Sequence, residues 1–396
     1  MVQIAILGLG TVGTGVAKVV MEHAARIEKK LGEPLNVKSV LVRRFQDGPY
    51  RHLMTDDFSV IEQDPEICAV VETIGGTDAA YTYTKRALCA GKHVITANKQ
   101  LVAEHGQELL QLARKHHVRY LFEASVGGGI PVLHPLTQCL AANDIDEVYG
   151  ILNGTTNYIL TKMVNAGASF TDALREAQEK GYAEADPSAD VDGIDAGRKI
   201  CILADLAFGR WIDPAAVPME GISELDLKDV RTAGKAGYRV RLLGRAVRVG
   251  ERGCSAYVAP HLLPVDHPMA AVQDVFNAIL VHGDAVDDVM FYGRGAGAQP
   301  TASACISDVL EALRAEPAET EDWTTEQSEF VSPCQLLSRY YFRIEGTPAD
   351  AEQAFGQVEV LDAGAETAFL TEVISGREAQ ERGKGLNVRA SFRVLS

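Results

Sequence analysis

Asp195 and Lys199 stand four residues apart in a stretch that reads as helix, so their side chains share one face. A lysine whose charge is disfavoured by burial or by a neighbouring cation can take up and return a proton near neutral pH. Standing alone, such a pair more often forms a surface salt bridge, so the rest of the chain must decide. A second feature is the loop Gly8-Leu9-Gly10-Thr11-Val12-Gly13, which follows an apolar run and opens a helical one. Gly8 permits the tight turn, Gly10 lets the backbone approach a pyrophosphate, and Gly13 allows close helix–strand packing. The helix start at Thr11 and Val12 then faces the anion. After the second strand, where a carboxylate would bind the ribose 2′-hydroxyl of NAD, the chain has Arg43-Arg44 and no acid until Asp47. Guanidinium forks suit a 2′-phosphate, which favours NADP, with NAD the alternative; Arg43, nearer the strand end, is the stronger candidate. The competing reading is solvated surface charge.

Those residues need a scaffold. The first 135 residues alternate strand signals (2–7, 37–42, 69–73, 93–96, 118–122) with helical ones (11–31, 78–90, 107–116). Such alternation predicts a parallel sheet with helices on both faces, a Rossmann-type α/β domain over 1–132. Lys99, which closes a strand-bearing segment, and Thr73, at the end of the third strand, then fall on the sheet edge where ligands bind. Beyond Pro131 the pattern mixes helices (133–140, 158–165, 172–180, 192–208) with strands (148–152, 242–249, 255–260), predicting a second, α+β domain over 133–294. Residues 295–314 return to helix after a glycine turn and complete the first domain. Residues 315–335 are polar and acid-rich, a linker. The tail, 336–396, gives strand, helix, strand, strand, helix, strand, the order of a small ferredoxin-like module.

Composition narrows the functional classes. The 396 residues are 46% apolar and 23% charged, proportions of a folded globular chain rather than a disordered one. No run approaches 18 apolar residues, so no membrane partner is expected, and the N-terminus reads as a strand rather than a signal peptide. A net charge of −16 disfavours nucleic acid and anionic lipid. Seven scattered cysteines without a C-x-x-C pair argue against disulfides or zinc and for a reducing cytoplasm, most of the thiols being buried.

Three further segments make the pattern specific: GKHVITANK (91–99), EASVGGGIP (123–131) with GILNGTTNYIL (150–160), and GYAEADPSADVDGIDAGRK (181–199). With the glycine loop and YGRGAGAQPTA (292–302), they resemble homoserine dehydrogenase over about residues 1–312. The resemblance implies NAD(P)-dependent interconversion of L-homoserine and L-aspartate 4-semialdehyde, on the route to threonine and methionine. It implies Lys199 as proton donor/acceptor, Asp195 as holder of substrate and lysine, and Lys99 as a contact of both cofactor and substrate. Gly181, Thr73 and Gly297 become cofactor neighbours. Glu184 and Asp190 become partners of the substrate ammonium. Gly154 and Thr155 just precede a helix, where backbone N–H groups can receive the substrate carboxylate. The family binds sodium at positions matching Glu123, Val126, Gly128 and Ile130. Read from the residues alone, three consecutive glycines fit either converging carbonyls around a monovalent cation or a hinge between domains. The second domain is expected to bind homoserine and to make a homodimer or a dimer of dimers.

The tail resembles a regulatory ACT domain, although Gly346-Thr347-Pro348-Ala349-Asp350 replaces the usual proline–glycine turn. Effector binding and a packing or dimerisation role both remain open. An aldehyde dehydrogenase acting through a cysteine thioester fails, because Cys139 and Cys201 lie in apolar helical patterns. A dinucleotide sensor without turnover would have no use for a proton-transfer lysine.

Overall fold

The computed structural model describes residues 1–314, 323–324 and 326–395. The start of the acidic linker, 315–322, therefore lies outside the described residues. Contacts divide the chain into two compact units. One comprises 1–143, 205–213 and 293–327; the other comprises 144–204, 214–292 and 328–396.

The first unit begins β1 (Val2–Leu7), α1 (Thr11–Glu22), α2 (Ala24–Leu31), β2 (Leu35–Leu41), β3 (Met54–Thr55), α3 (Ser59–Glu62) and β4 (Ile67–Glu72). It continues with α4 (Asp78–Cys89), β5 (His93–Thr96), α5 (Lys99–Lys115) and β6 (Tyr120–Leu121). The strands pair in the order β3-β2-β1-β4-β5-β6, and every described pair is parallel. This is the doubly wound Rossmann order, whose ligand crevice opens at the carboxyl ends of β1 and β4. The expected helix over 11–31 is two helices, because His23 leaves helical geometry at φ −110°, ψ 17°. Met21, Glu22 and Ala24 around it give no warning of that break. Conversely, α5 starts at Lys99, eight residues before the expected helix, so Lys99 sits in a first helical turn. The expected helix over 133–140 is a single wide turn, Pro135–Cys139. The core joins Ile4, Ile6, Val16, Val40, Val71 and Ile95 to the apolar face of the returning helix.

The second unit contains β7 (Ile145–Ile151), α6 (Gly154–Ala166), α7 (Phe170–Glu179), α8 (Ser188–Val191) and α9 (Ile194–Phe208) as far as residue 204. Next come α10 (Leu227–Lys235), β8 (Tyr238–Val249), β9 (Gly253–Pro264), β10 (Phe276–Gly283) and β11 (Asp287–Arg294). Helix α11 (Ala298–Arg314) returns to the first unit, packing on α1. The tail adds β12 (Glu329–Phe330), β13 (Leu337–Glu345), α12 (Pro348–Phe355), β14 (Val358–Ala363), β15 (Thr367–Thr371), β16 (Ile374–Ser375), α13 (Gly376–Gly383) and β17 (Asn387–Val394). From β13 onward its element order is the expected one, with the two-residue β16 added, whereas β12 falls in the stretch expected as linker. Its sheet does not stand apart: β17 pairs in parallel with β9, giving one eleven-stranded sheet. Tail and helix α10 are also tied by a buried cluster. Arg343 Nε and a terminal nitrogen grip Asp229 at 2.7 and 2.9 Å, and the Tyr341 hydroxyl donates to the same carboxylate at 2.7 Å.

Cys201, Cys254 and Cys305 are buried, as expected of apolar thiols, but Cys89 and Cys139 are exposed. Among the described residues no helix is long and apolar enough to cross a membrane.

Candidate functional site

In the first unit the site is made of backbone. Gly8 takes φ +93°, a conformation that costs an L side chain, and donates its N–H to Leu41 O at 2.9 Å. A Cβ on Gly13 would lie 2.0 Å from Gly8 O, so the helix can approach the turn only with glycine there. Around Gly10 the space is open, which leaves room for a ligand against the N–H groups of Thr11, Val12 and Gly13. Thr73 closes the crevice from β4. Its N–H and hydroxyl both donate to Leu7 O, at 2.9 and 3.0 Å, and the hydroxyl also reaches Gly8 O at 3.0 Å. Gly297 lies beside the same helix: the next residue, Ala298, has its carbonyl oxygen 2.6 Å from where a Cβ on Gly15 would stand. Arg43 is exposed, two residues past the end of β2. Lys99 is half-buried at the start of α5, directly after Asn98, whose side chain caps the helix by accepting from Leu101 N–H at 3.1 Å.

The glycine-rich segment after β6 also belongs to this unit. The Glu123 carboxylate is engaged by backbone, accepting from Val132, Leu133 and His134 N–H groups at 2.6, 3.0 and 2.7 Å. It acts as a cap for the following turn. Gly127 and Gly128 both have positive φ, and a Cβ on Gly128 would strike Gly295 O at 2.4 Å. Among the described residues no group of three or more His, Cys, Asp or Glu side chains could hold a metal. A hard monovalent ion here would need carbonyl oxygens, which such a turn can supply.

In the second unit the site is made of side chains. Lys199 and Asp195 are 8% and 4% exposed, and Lys199 Nζ donates to Asp195 Oδ2 and to Leu152 O, each at 2.7 Å. The surface salt bridge that an isolated pair would suggest is therefore not what forms. Gly244 makes the approach possible, since a Cβ there would meet Leu152 and Ile200 side chains at 2.7 and 3.1 Å. Asn153 joins the cluster together: its Nδ2 donates to Asp190 Oδ1 at 2.7 Å and Asp195 Oδ2 at 2.9 Å, while its Oδ1 caps α6 by accepting from Thr156 N–H. From the sequence, Asn153 stands with Gly154, Thr155 and Thr156 as a backbone contact before a helix, and the role of its side chain was missed. The available signal was its place as an N-cap inside the NGTTN string. Gly154 sits where a Cβ would lie 2.9 Å from Val275 O, and the Thr155 hydroxyl donates to Tyr182 O at 2.7 Å. Asp190 is half-buried and Glu184 exposed. Gly181, at φ +73°, ends the turn after α7.

The unit thus presents a buried ammonium held by a carboxylate and a carbonyl, beside a second carboxylate. That arrangement can hand a proton to an oxygen and hold a cationic group. A family model described as "Homoserine dehydrogenase" matches residues 131–310, and one described as "Homoserine dehydrogenase, NAD binding domain" matches residues 8–123. A homoserine dehydrogenase of Lactococcus lactis is 38% identical, over 97% of this chain and 90% of its own. The crystal structure of a homoserine dehydrogenase from Thiobacillus denitrificans superposes with a TM-score of 0.92 at 35% identity, covering 100% of this chain and 98% of that one. A hyperthermophilic archaeal homoserine dehydrogenase in complex with NADPH gives a TM-score of 0.66 at 27% identity, over 78% of this chain and 97% of that one. The chain belongs to the homoserine dehydrogenase family, oxidoreductases built on an NAD(P)-binding Rossmann domain.

Proposed function

We propose that the protein interconverts L-homoserine and L-aspartate 4-semialdehyde, serving threonine and methionine synthesis in the cytoplasm, with Lys199 as proton donor and acceptor. The observation that carries this reading is the buried Lys199–Asp195–Asn153–Asp190 network. A bound nicotinamide supplies the hydride chemistry. In the reducing direction Lys199, charged beside Asp195, donates a proton to the carbonyl oxygen as it becomes an alcohol. In the oxidising direction it must first be neutral, and then takes the hydroxyl proton. Asp195 orients the lysine. Asp190 and Glu184 receive the substrate ammonium, and the N–H groups at Gly154 and Thr155 receive its carboxylate. Lys99 contacts cofactor and substrate, and Gly181 lies near the cofactor.

NADP is the proposed dinucleotide, on the strength of exposed Arg43 after β2 and of the NADPH bound by the archaeal relative. A sodium ion is proposed at the main-chain oxygens of Glu123, Val126, Gly128 and Ile130, with a structural role. The functional partition is 1–132 with 295–314 for the dinucleotide, 133–294 for homoserine and dimerisation, and 336–396 as an ACT-like tail. The test is absorbance of the reduced nicotinamide with L-homoserine and each cofactor in turn. Growth of signal that is lost in Lys199→Ala supports the reading; growth that survives the substitution sinks the lysine assignment.

A further inference from the structure

Glu72, the last residue of β4, is fully buried. A carboxylate at that position costs free energy, so its hydrogen bonds deserve tracing. Oε1 accepts from Ile74 N–H and Oε2 from the Thr96 hydroxyl, each at 2.5 Å. Thr96 Oγ1 in turn accepts from Asn98 N–H at 2.9 Å. Asn98 Nδ2 then returns to the first segment, donating to Ile74 O at 3.1 Å and Gly76 O at 2.7 Å. The main chain adds Ala97 N–H to Glu72 O at 3.3 Å. The result is a closed ring of bonds between the segment after β4, which carries Thr73, and the segment after β5, which carries Asn98 and Lys99. Thr73 is itself fastened to Leu7 and Gly8, so the glycine loop is the third piece held.

We infer that Glu72 is a positioning residue for hydride transfer, clamping the Thr73 and Lys99 segments in one geometry at the dinucleotide edge. The inference rests on the reading of Lys99 as a cofactor and substrate contact. An ionised Glu72 accepts both bonds. A protonated Glu72 donates through one oxygen, which reverses the Thr96 bond and takes the charge assistance away from both of its hydrogen bonds. Burial pushes the Glu72 carboxyl up to about 7, against the lowering effect of the Thr96 and Ile74 bonds. Tyr120 on β6 and Cys305 on α11 are titratable groups that feel its charge. Both are buried acids pushed upward and neutral at pH 7, so Glu72 is the group of the three that changes charge there. The clamp is therefore held by charge-assisted bonds above neutrality and weakens as pH falls through about 7.

The experiment compares the full chain with Glu72→Gln, Thr96→Val and Lys99→Met. It measures kcat and both KM values from pH 5.5 to 9, binding of NADP⁺ alone by protein fluorescence, and thermal melting. Expected is a folded Glu72→Gln with turnover at pH 8 lower by roughly tenfold or more, as for displaced reacting groups. Its turnover also loses the acid limb near neutrality, and Thr96→Val shows the same loss of turnover. Wild-type turnover and an unchanged acid limb in both variants overturn the inference. Should Lys99→Met keep full turnover while Glu72→Gln weakens NADP⁺ binding, the lysine reading falls and the clamp stands through Thr73. If Glu72→Gln only lowers the melting temperature, with kinetics and binding intact, Glu72 is structural and the inference fails.

Discussion

The dinucleotide edge of the first unit and the lysine cluster of the second solve opposite problems. The first must keep side chains away, so that N–H groups and a helix terminus can meet a ligand; its decisive residues are glycines whose neighbours stand within 2–3 Å of an absent Cβ. The second must keep charges inside, so each buried charged or polar group needs a partner, and Lys199, Asp195 and Asn153 supply one another. A backbone site is vulnerable to any added atom. A side-chain site is vulnerable to any lost one.

That contrast can be broken most severely at Lys199. Lys199→Ala removes the proposed proton carrier, and turnover should fall by roughly 10²–10⁴-fold, the usual worth of general acid–base catalysis. Because Asp195 is then a buried carboxylate without its ammonium, stability should drop by roughly 3–5 kcal/mol, read by denaturant unfolding. Gly13→Ala tests the other site by addition: its new Cβ would lie 2.0 Å from Gly8 O. Overpacking of that kind costs roughly 1–3 kcal/mol, and dinucleotide affinity should fall much further than homoserine affinity. Equal losses for both ligands would contradict a backbone site specific to the cofactor. Asn153→Ala removes one donor each from Asp190 and Asp195 and should cost about 1–3 kcal/mol of stability and about tenfold in turnover. Smallest is Arg43→Ala, where exposure limits the effect: KM for NADP should rise about tenfold while KM for NAD stays level. A parallel rise in both would return Arg43 to plain surface charge.

The same contrast explains what could be read in advance. Glycine spacing records a backbone site directly, because the residue type is itself the geometric requirement, and Gly8, Gly13 and the parallel sheet were all legible. Asp195 and Lys199 were legible as a pair on one face of a helix. Their burial was not, since it depends on Leu152 and Gly244 being brought to α9 by the fold. Asn153 reads as a helix cap, and only tertiary structure shows its amide bridging two carboxylates. The Glu123 side chain caps the turn at 132–134, a role that only the folded chain shows. Among the elements, α10 escaped notice because Thr232 and Gly234 dilute its helical signal. β11 escaped because Met290 and Tyr292 lie on its exposed side, where polar residues are the usual signature of a strand with one wet face.

The pairing of β17 with β9 has a consequence for anyone planning to shorten the gene. Because Arg393 and Val394 lie against His261 and Leu262, the last residues of the chain serve as a wall of the second unit rather than as an appendage. Ending translation after Ser332 would unpair β9 at His261 and Leu262 and open a short strand edge there, an invitation to intermolecular strand addition. It would also leave Asp229, now 1% exposed, without Arg343 and Tyr341. A truncated protein that precipitates would report on that torn edge and not on regulation, so the tail is better interrogated by single substitutions on its outer surface.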